Sequence, residues 1–131
     1  GATLLGEKVA DVFVPGDHGS TFGGNPVCCA GAISILNRLD EQMLSRVRAK
    51  GNLVRGALEG APGVESVTGM GLMLGVKTTR PAAKVAAECL RAGVLVLTAK
   101  DKVRLLPALN IPDQQLQDGV EILKQVCARV D

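Results

Sequence analysis

The chain has 131 residues, 47% of them apolar and only 2% aromatic, so one folding unit, or one with an attached piece, must build its core from Val, Leu, Ile and Ala. A formal charge of +2 gives no basis for a nucleic-acid or membrane partner, no apolar run reaches the ~18 residues of a membrane-crossing helix, and no charged start leads into an apolar stretch. Cys28, Cys29, Cys89 and Cys127 lack the C-x-x-C spacing of a zinc or redox site and sit in helical apolar patterns, so buried, reduced thiols in a cytoplasmic protein are expected, and no metal.

In chain order, residues 2–5 and 9–14 are short apolar stretches around Gly6-Glu7-Lys8, read as a strand and a turn leading into Pro15-Gly16-Asp17. Asn25 can cap a helix whose first position is Pro26, where the missing N–H costs nothing. Ala32, Leu36, Leu39, Met43, Val47, Val54 and Leu58 keep helical spacing, with a break near Asp40, and the arm ends before Gly60-Ala61-Pro62-Gly63. Residues 64–67 and 72–76 read as strands joined through Gly69 and Gly71. Pro81 opens a helix with Val85, Ala86, Cys89 and Leu90 on one face and Gly93 at its end. Residues 94–97 and 103–106 form a further strand pair around the turn 98–102. Asp113 caps the last helix, with Leu116, Val120, Leu123, Cys127 and Val130 as its apolar stripe. The order is βαββαββα-like. It predicts an α/β chain of the α+β kind, with helices on one face of a mainly antiparallel sheet.

The chemistry concentrates in His18-Gly19-Ser20-Thr21-Phe22-Gly23-Gly24-Asn25-Pro26. Glycines let backbone N–H groups approach a ligand, hydroxyls add donors, and the helix start adds a positive dipole end, which together suit a phosphate. On residue types alone, local turn hydrogen bonds are the favoured role of Ser20 and Thr21. His18, the single histidine, suits proton transfer or a structural role on residue type alone, and the family resemblance given below implies the structural one. Arg104 stands between Val103 and Leu105, and strand alternation turns it away from their side. It is either solvated or a fork that takes both oxygens of a carboxylate. Lys8, Lys100 and Lys102 flank turns and read as solvated surface.

The 18–26 segment closely resembles the loop of the acetylornithine and ornithine aminotransferases, fold-type I enzymes that use pyridoxal phosphate. Gly69-Met70-Gly71-Leu72-Met73-Leu74-Gly75 is similar to that family's G-x-G-L-M-x-G strand. Gly93-Val94-Leu95-Val96-Leu97 and Val103-Arg104-Leu105-Leu106-Pro107-Ala108-Leu109-Asn110-Ile111 resemble its closing strand pair, so the likeness runs essentially end to end. It implies that residues 1–40 are the C-terminal edge of the large cofactor-binding domain, including the phosphate loop, and that 41–131 are the C-terminal small domain. It further implies a homodimer in which Thr21, with Ser20, serves the cofactor phosphate of the neighbouring subunit. Arg104 would hold a substrate carboxylate while an amino group passes to 2-oxoglutarate.

The family's Schiff-base lysine lies before the stretch that resembles residues 1–6. The resemblance therefore implies a C-terminal piece with no catalytic residue, inactive alone, and Lys8 is not that amine. The Leu105-Leu106-Pro107-Ala108-Leu109-Asn110 run and the Ser20-Thr21-Phe22 loop are most similar to the acetylornithine members, which serve arginine biosynthesis; ornithine and 4-aminobutyrate aminotransferases share much of the pattern. Without the resemblance, a non-catalytic α+β module that binds amino acids at a dimer interface fits the strands and helices as well. It does not account for the loop and the long helical arm behind it.

Overall fold

The computed structural model describes residues 1–130. The chain divides into two compact units, Gly1–Asp40 and a second that begins at Glu41.

The first unit holds one turn of 3-10 helix, Glu7–Val9, and helix α1, Pro26–Leu36. The strand expected within residues 2–14 does not form. A strand must hand its N–H and C=O groups to a neighbour, and the unit supplies no second strand. The element order is therefore ααββαββα after the 3-10 turn. Asn25 starts α1 as expected: its Oδ1 accepts from the N–H groups of Val27 (3.0 Å) and Cys28 (3.1 Å), with Pro26 in the first turn. Residues 1–38 are all exposed. Cys28 and Cys29 are thus exposed free thiols, not the buried ones expected, because α1 has no packing face within its unit.

The second unit carries α2 (Glu41–Leu58), β1 (Val64–Met70), β2 (Met73–Thr78), α3 (Ala82–Arg91), β3 (Leu97–Ala99), β4 (Lys102–Leu105) and α4 (Asp113–Cys127). The break near Asp40 separates α1 from α2. The four strands form an antiparallel sheet in the order β1-β2-β4-β3. Val67, Val76 and Val103 make one cross-strand row, and all three are buried. With Val54 and Leu58 of α2, Val85 and Cys89 of α3, and Leu123 and Val126 of α4 they form the core, so the helices cover that face. Successive side chains alternate faces. The neighbouring row Thr68–Gly75–Arg104 therefore belongs to the opposite face.

Several details differ from the expectation, each for a local reason. The third strand starts at Leu97, not residue 94. The N–H of Val94 bonds back to the carbonyl of Cys89 (2.9 Å) and that of Gly93 to Leu90 (3.1 Å), with Gly93 at φ +92. This Schellman closure holds residue 94 in the helix terminus. Ala82 takes the buried place expected for Leu90, which is exposed. Val126 likewise replaces Val130 in the α4 stripe. Asp113 is the first helical residue and makes no side-chain cap; its carboxylate meets the Lys50 ammonium at 3.1 Å. The β3–β4 hairpin turns on Lys100 and Asp101 alone, with Lys100 at φ +55.

Two glycines fix close backbone approaches. A Cβ on Gly51 of α2 would lie 2.3 Å from the Gly71 carbonyl oxygen, and one on Gly63 (φ +78) would lie 1.9 Å from the carbonyl oxygen of Cys127. A buried ion pair fastens α3: Arg80 holds Glu88 and donates to the Val126 carbonyl at 3.0 Å, and Arg129 reaches Glu88 at 3.2 Å. The Arg80 guanidinium holds the Glu88 carboxyl below its ordinary range, with burial working against it.

Candidate functional site

In the first unit, residues 18–26 form a turn that opens into α1. The N–H of Gly23 bonds to the Ser20 carbonyl (3.2 Å) and that of Asn25 to the Phe22 carbonyl (3.3 Å), with Gly24 at φ +72. A Cβ on Gly23 would come within 3.0 Å of Ser20 Cβ and 3.2 Å of its hydroxyl, so glycine keeps that hydroxyl clear. Ser20 and Thr21 are exposed, and neither hydroxyl makes a hydrogen bond among the described residues. They are not spent on the turn. The helix start is different: Asn25 already occupies the Val27 and Cys28 amides. An anion at this loop therefore depends on hydroxyls, free loop amides and the α1 dipole, not on those two N–H groups. His18 is exposed and makes no hydrogen bond among the described residues.

Arg104 lies in the second unit, on β4, opposite Gly75 of β2 on one side and Leu97 of β3 on the other. Its Nε–H is buried without a hydrogen-bond partner among the described residues. A buried donor left unmade is destabilising by about 1–3 kcal/mol, so an acceptor there would be strongly favoured. Arg104 also borders a cavity of about 570 Å³ lined largely by apolar residues such as Leu74, Val96, Leu105 and Leu123. Beyond Arg104, its ionisable wall is the acid Asp118, which disfavours an anion inside.

The residues that sequence reading passed over stand beside Arg104. Lys102 is half-buried and not simply solvated: its ammonium donates to the Thr68 hydroxyl at 2.8 Å. Its position two residues before Arg104 carried the signal, since that spacing puts both cations on one face. Lys8 and Lys100 are exposed, as expected.

Comparison with known proteins gives these features a frame. Residues 1–127 match the family Aminotransferase class-III. The chain is a class-III aminotransferase sequence. It is 48% identical to an acetylornithine aminotransferase of Haemophilus ducreyi over 99% of this chain and 34% of that protein. A solved acetylornithine aminotransferase of Elizabethkingia anophelis matches 88% of this chain and 33% of its own, at 33% identity and a TM-score of 0.72. An ornithine aminotransferase of Toxoplasma gondii, described with partial occupancy of PLP at its active site, matches 90% of this chain and 30% of its own, at 30% identity and a TM-score of 0.75. The class-III chain thus spans about a third of the length of the relatives it matches. The fold is the corresponding part of a fold-type I transferase.

The loop's chemistry suits the phosphate of that family's cofactor. It offers neutral hydroxyl donors that are free, and a glycine where a side chain would crowd one of them.

Proposed function

We propose that the chain is the C-terminal third of a pyridoxal-phosphate-dependent acetylornithine:2-oxoglutarate aminotransferase, a cytoplasmic homodimer of arginine biosynthesis. Residues 1–40 contribute the edge of its large domain and 41–131 its small domain. The observation that carries the reading is the free hydroxyl pair of Ser20 and Thr21 in a loop kept clear by Gly23. The identity with acetylornithine aminotransferases supports the amino donor.

Thr21, with Ser20, donates to the cofactor phosphate of the neighbouring subunit. Pyridoxal phosphate supplies the electron sink for amino-group transfer. Arg104 fixes a substrate carboxylate, and its unpartnered Nε–H gives that carboxylate a waiting donor.

The test uses the protein at its relatives' length. Thr21→Ala removes a hydrogen bond to a charged acceptor, worth about 1.5–3 kcal/mol, and should weaken cofactor retention roughly tenfold to a hundredfold. Mixed dimers with a wild-type partner should regain part of the retention. Arg104→Ala should keep the cofactor and raise KM for carboxylate substrates. If Arg104→Ala loses cofactor while Thr21→Ala keeps it, the two roles are wrongly assigned. A kcat/KM for ornithine or 4-aminobutyrate above that for acetylornithine would overturn the amino-donor assignment.

A further inference from the structure

Helix α2 reaches across to the segment that follows Arg104. Strand β4 ends at Leu105, and residues 106–112 connect it to Asp113, where α4 begins. The near end of this connection is set by sheet register, since Leu105 stands opposite Leu74 of β2. The far end is held from α2: the Lys50 ammonium donates to the Ile111 carbonyl and pairs with the Asp113 carboxylate. The Lys50 side chain is only 16% exposed, whereas that of Asp113 is 78% exposed. A covered ammonium must replace lost water with acceptors, and both of these lie at the far end. An ion pair to so exposed a carboxylate is worth little, so the part-buried carbonyl carries the hold.

Lys50 reaches out from a fixed point. Its neighbour Gly51 seats α2 on the β1–β2 turn, where a Cβ would lie 2.3 Å from the Gly71 carbonyl oxygen, so the helix has no room to move toward that turn. The turn leads directly into β2. Both ends of the 106–112 connection are therefore referred to one body: the near end by pairing with β2, the far end by Lys50. Between them, the Ile111 N–H bonds back to the Ala108 carbonyl at 3.0 Å, and the Ile111 side chain packs against the core. Leu106, Pro107 and Ile111 border the same cavity as Arg104. Where this connection sits decides where that wall stands relative to Arg104.

We propose that Lys50 is a positioning residue of the substrate site. By pinning the Ile111 carbonyl it fixes the wall beside Arg104, against which the carbon chain of a bound substrate lies. The proposal rests on the carboxylate-binding reading of Arg104 and adds a residue that acts through the 106–112 connection. Lys50 touches neither cofactor nor carboxylate, so its effect falls on substrate binding and not on the chemical step.

The test uses steady-state kinetics of the protein at its relatives' length. Lys50→Met keeps the aliphatic stem and removes the ammonium. It should raise KM for the carboxylate substrates about threefold to tenfold, the scale on which contacts one step removed modulate a site, with kcat and cofactor retention unchanged. Lys50→Arg, which still donates, should recover most of the loss. Lys50→Gln, shorter and neutral, gives the same reading if Lys50→Met does not fold. Val67→Ala, a core truncation on β1, should lower Tm at least as much and leave KM unchanged. In an Arg104→Ala background, Lys50→Met should add nothing further to KM. An unchanged KM for Lys50→Met, a rise shared by Val67→Ala, or full additivity with Arg104→Ala overturns the proposal. Arg104→Ala with an unchanged KM overturns instead the reading of Arg104 on which it stands.

Discussion

Helices α1 and α4 are both rich in apolar residues, yet they meet opposite surroundings. In α4 the apolar residues recur as a stripe, with Leu116, Val120, Leu123, Val126 and Cys127 buried and Gln114, Asp118 and Glu121 toward solvent. In α1, Val27, Ile33, Ile35 and Leu36 lie on no single face and are between 55% and 81% exposed. The lesson is that burial within a unit follows periodicity, not content. A stripe finds a partner face in its own unit, whereas an all-round apolar helix needs cover on every side. The second unit is thereby a self-contained core, and the first is a carrier for the loop.

Thiol chemistry separates the two units most sharply. Cys28 and Cys29 are exposed, while Cys89 and Cys127 are buried, and burial pushes the Cys127 thiol up to about 11. The native 131-residue chain should react with an aromatic disulfide reagent at Cys28 and Cys29 and stop there. The buried pair should react more slowly by roughly a thousandfold or more, since it waits for opening of a core worth several kcal/mol. Mass spectrometry of the labelled peptides reads the result. Equal labelling of all the thiols would mean that the second unit is not independently packed.

Truncating one apolar side chain in each unit gives a smaller contrast. Leu123 is 1% exposed and Ile35 55%. Leu123→Ala should destabilise by about 2–5 kcal/mol through lost contacts and a residual cavity, whereas Ile35→Ala should stay within about 0.5 kcal/mol. Urea unfolding of both variants of the 131-residue chain provides the measurement. A large loss from Ile35→Ala would mean that α1 is covered in solution, by self-association for instance, and dilution would then weaken the effect.

Much of this division was legible in the sequence. The helix starting at Asn25-Pro26, the break near Asp40, the first strand pair and the one-faced antiparallel sheet each followed from caps, glycines and period-two alternation. The misses share a cause: burial and pairing depend on partners that a local pattern does not contain. Residues 2–14 have strand-like content but no neighbour to pair with. The start of β3 was set by a backbone closure at Gly93 and not by the apolar run that follows it. The thiols of α1 look like those of a core helix, because composition alone does not say which side is covered. At the candidate site, the family resemblance, and not residue types alone, singled out Ser20, Thr21 and Arg104. The spacing of Lys102 from Arg104 put both on one face, but its contact with the Thr68 hydroxyl became visible only once the register placed Thr68 and Gly75 beside Arg104.

The finest contrast uses one substitution in each of helices α1 and α2. Gly31 sits within α1 and Gly51 within α2, and helix propensity alone favours alanine at both by about 0.5–1 kcal/mol. Their surroundings differ. A Cβ on Gly31 meets nothing within 4 Å, whereas one on Gly51 would lie 2.3 Å from the Gly71 carbonyl oxygen and 2.8 Å from its carbon. Those are backbone atoms of the β1–β2 turn, which cannot rotate aside as a side chain would. Gly51→Ala must therefore push α2 off that turn, and overpacking of this kind destabilises by about 1–3 kcal/mol, more than the propensity gain. Gly31→Ala should raise helicity by circular dichroism and leave the unfolding midpoint unchanged or slightly higher. Gly51→Ala should lower the midpoint, with a further loss for Gly51→Val. If both alanine variants move the midpoint in the same direction, the sign is being set by helix propensity, and the tight seat of α2 on the Gly71 turn does not exist in solution.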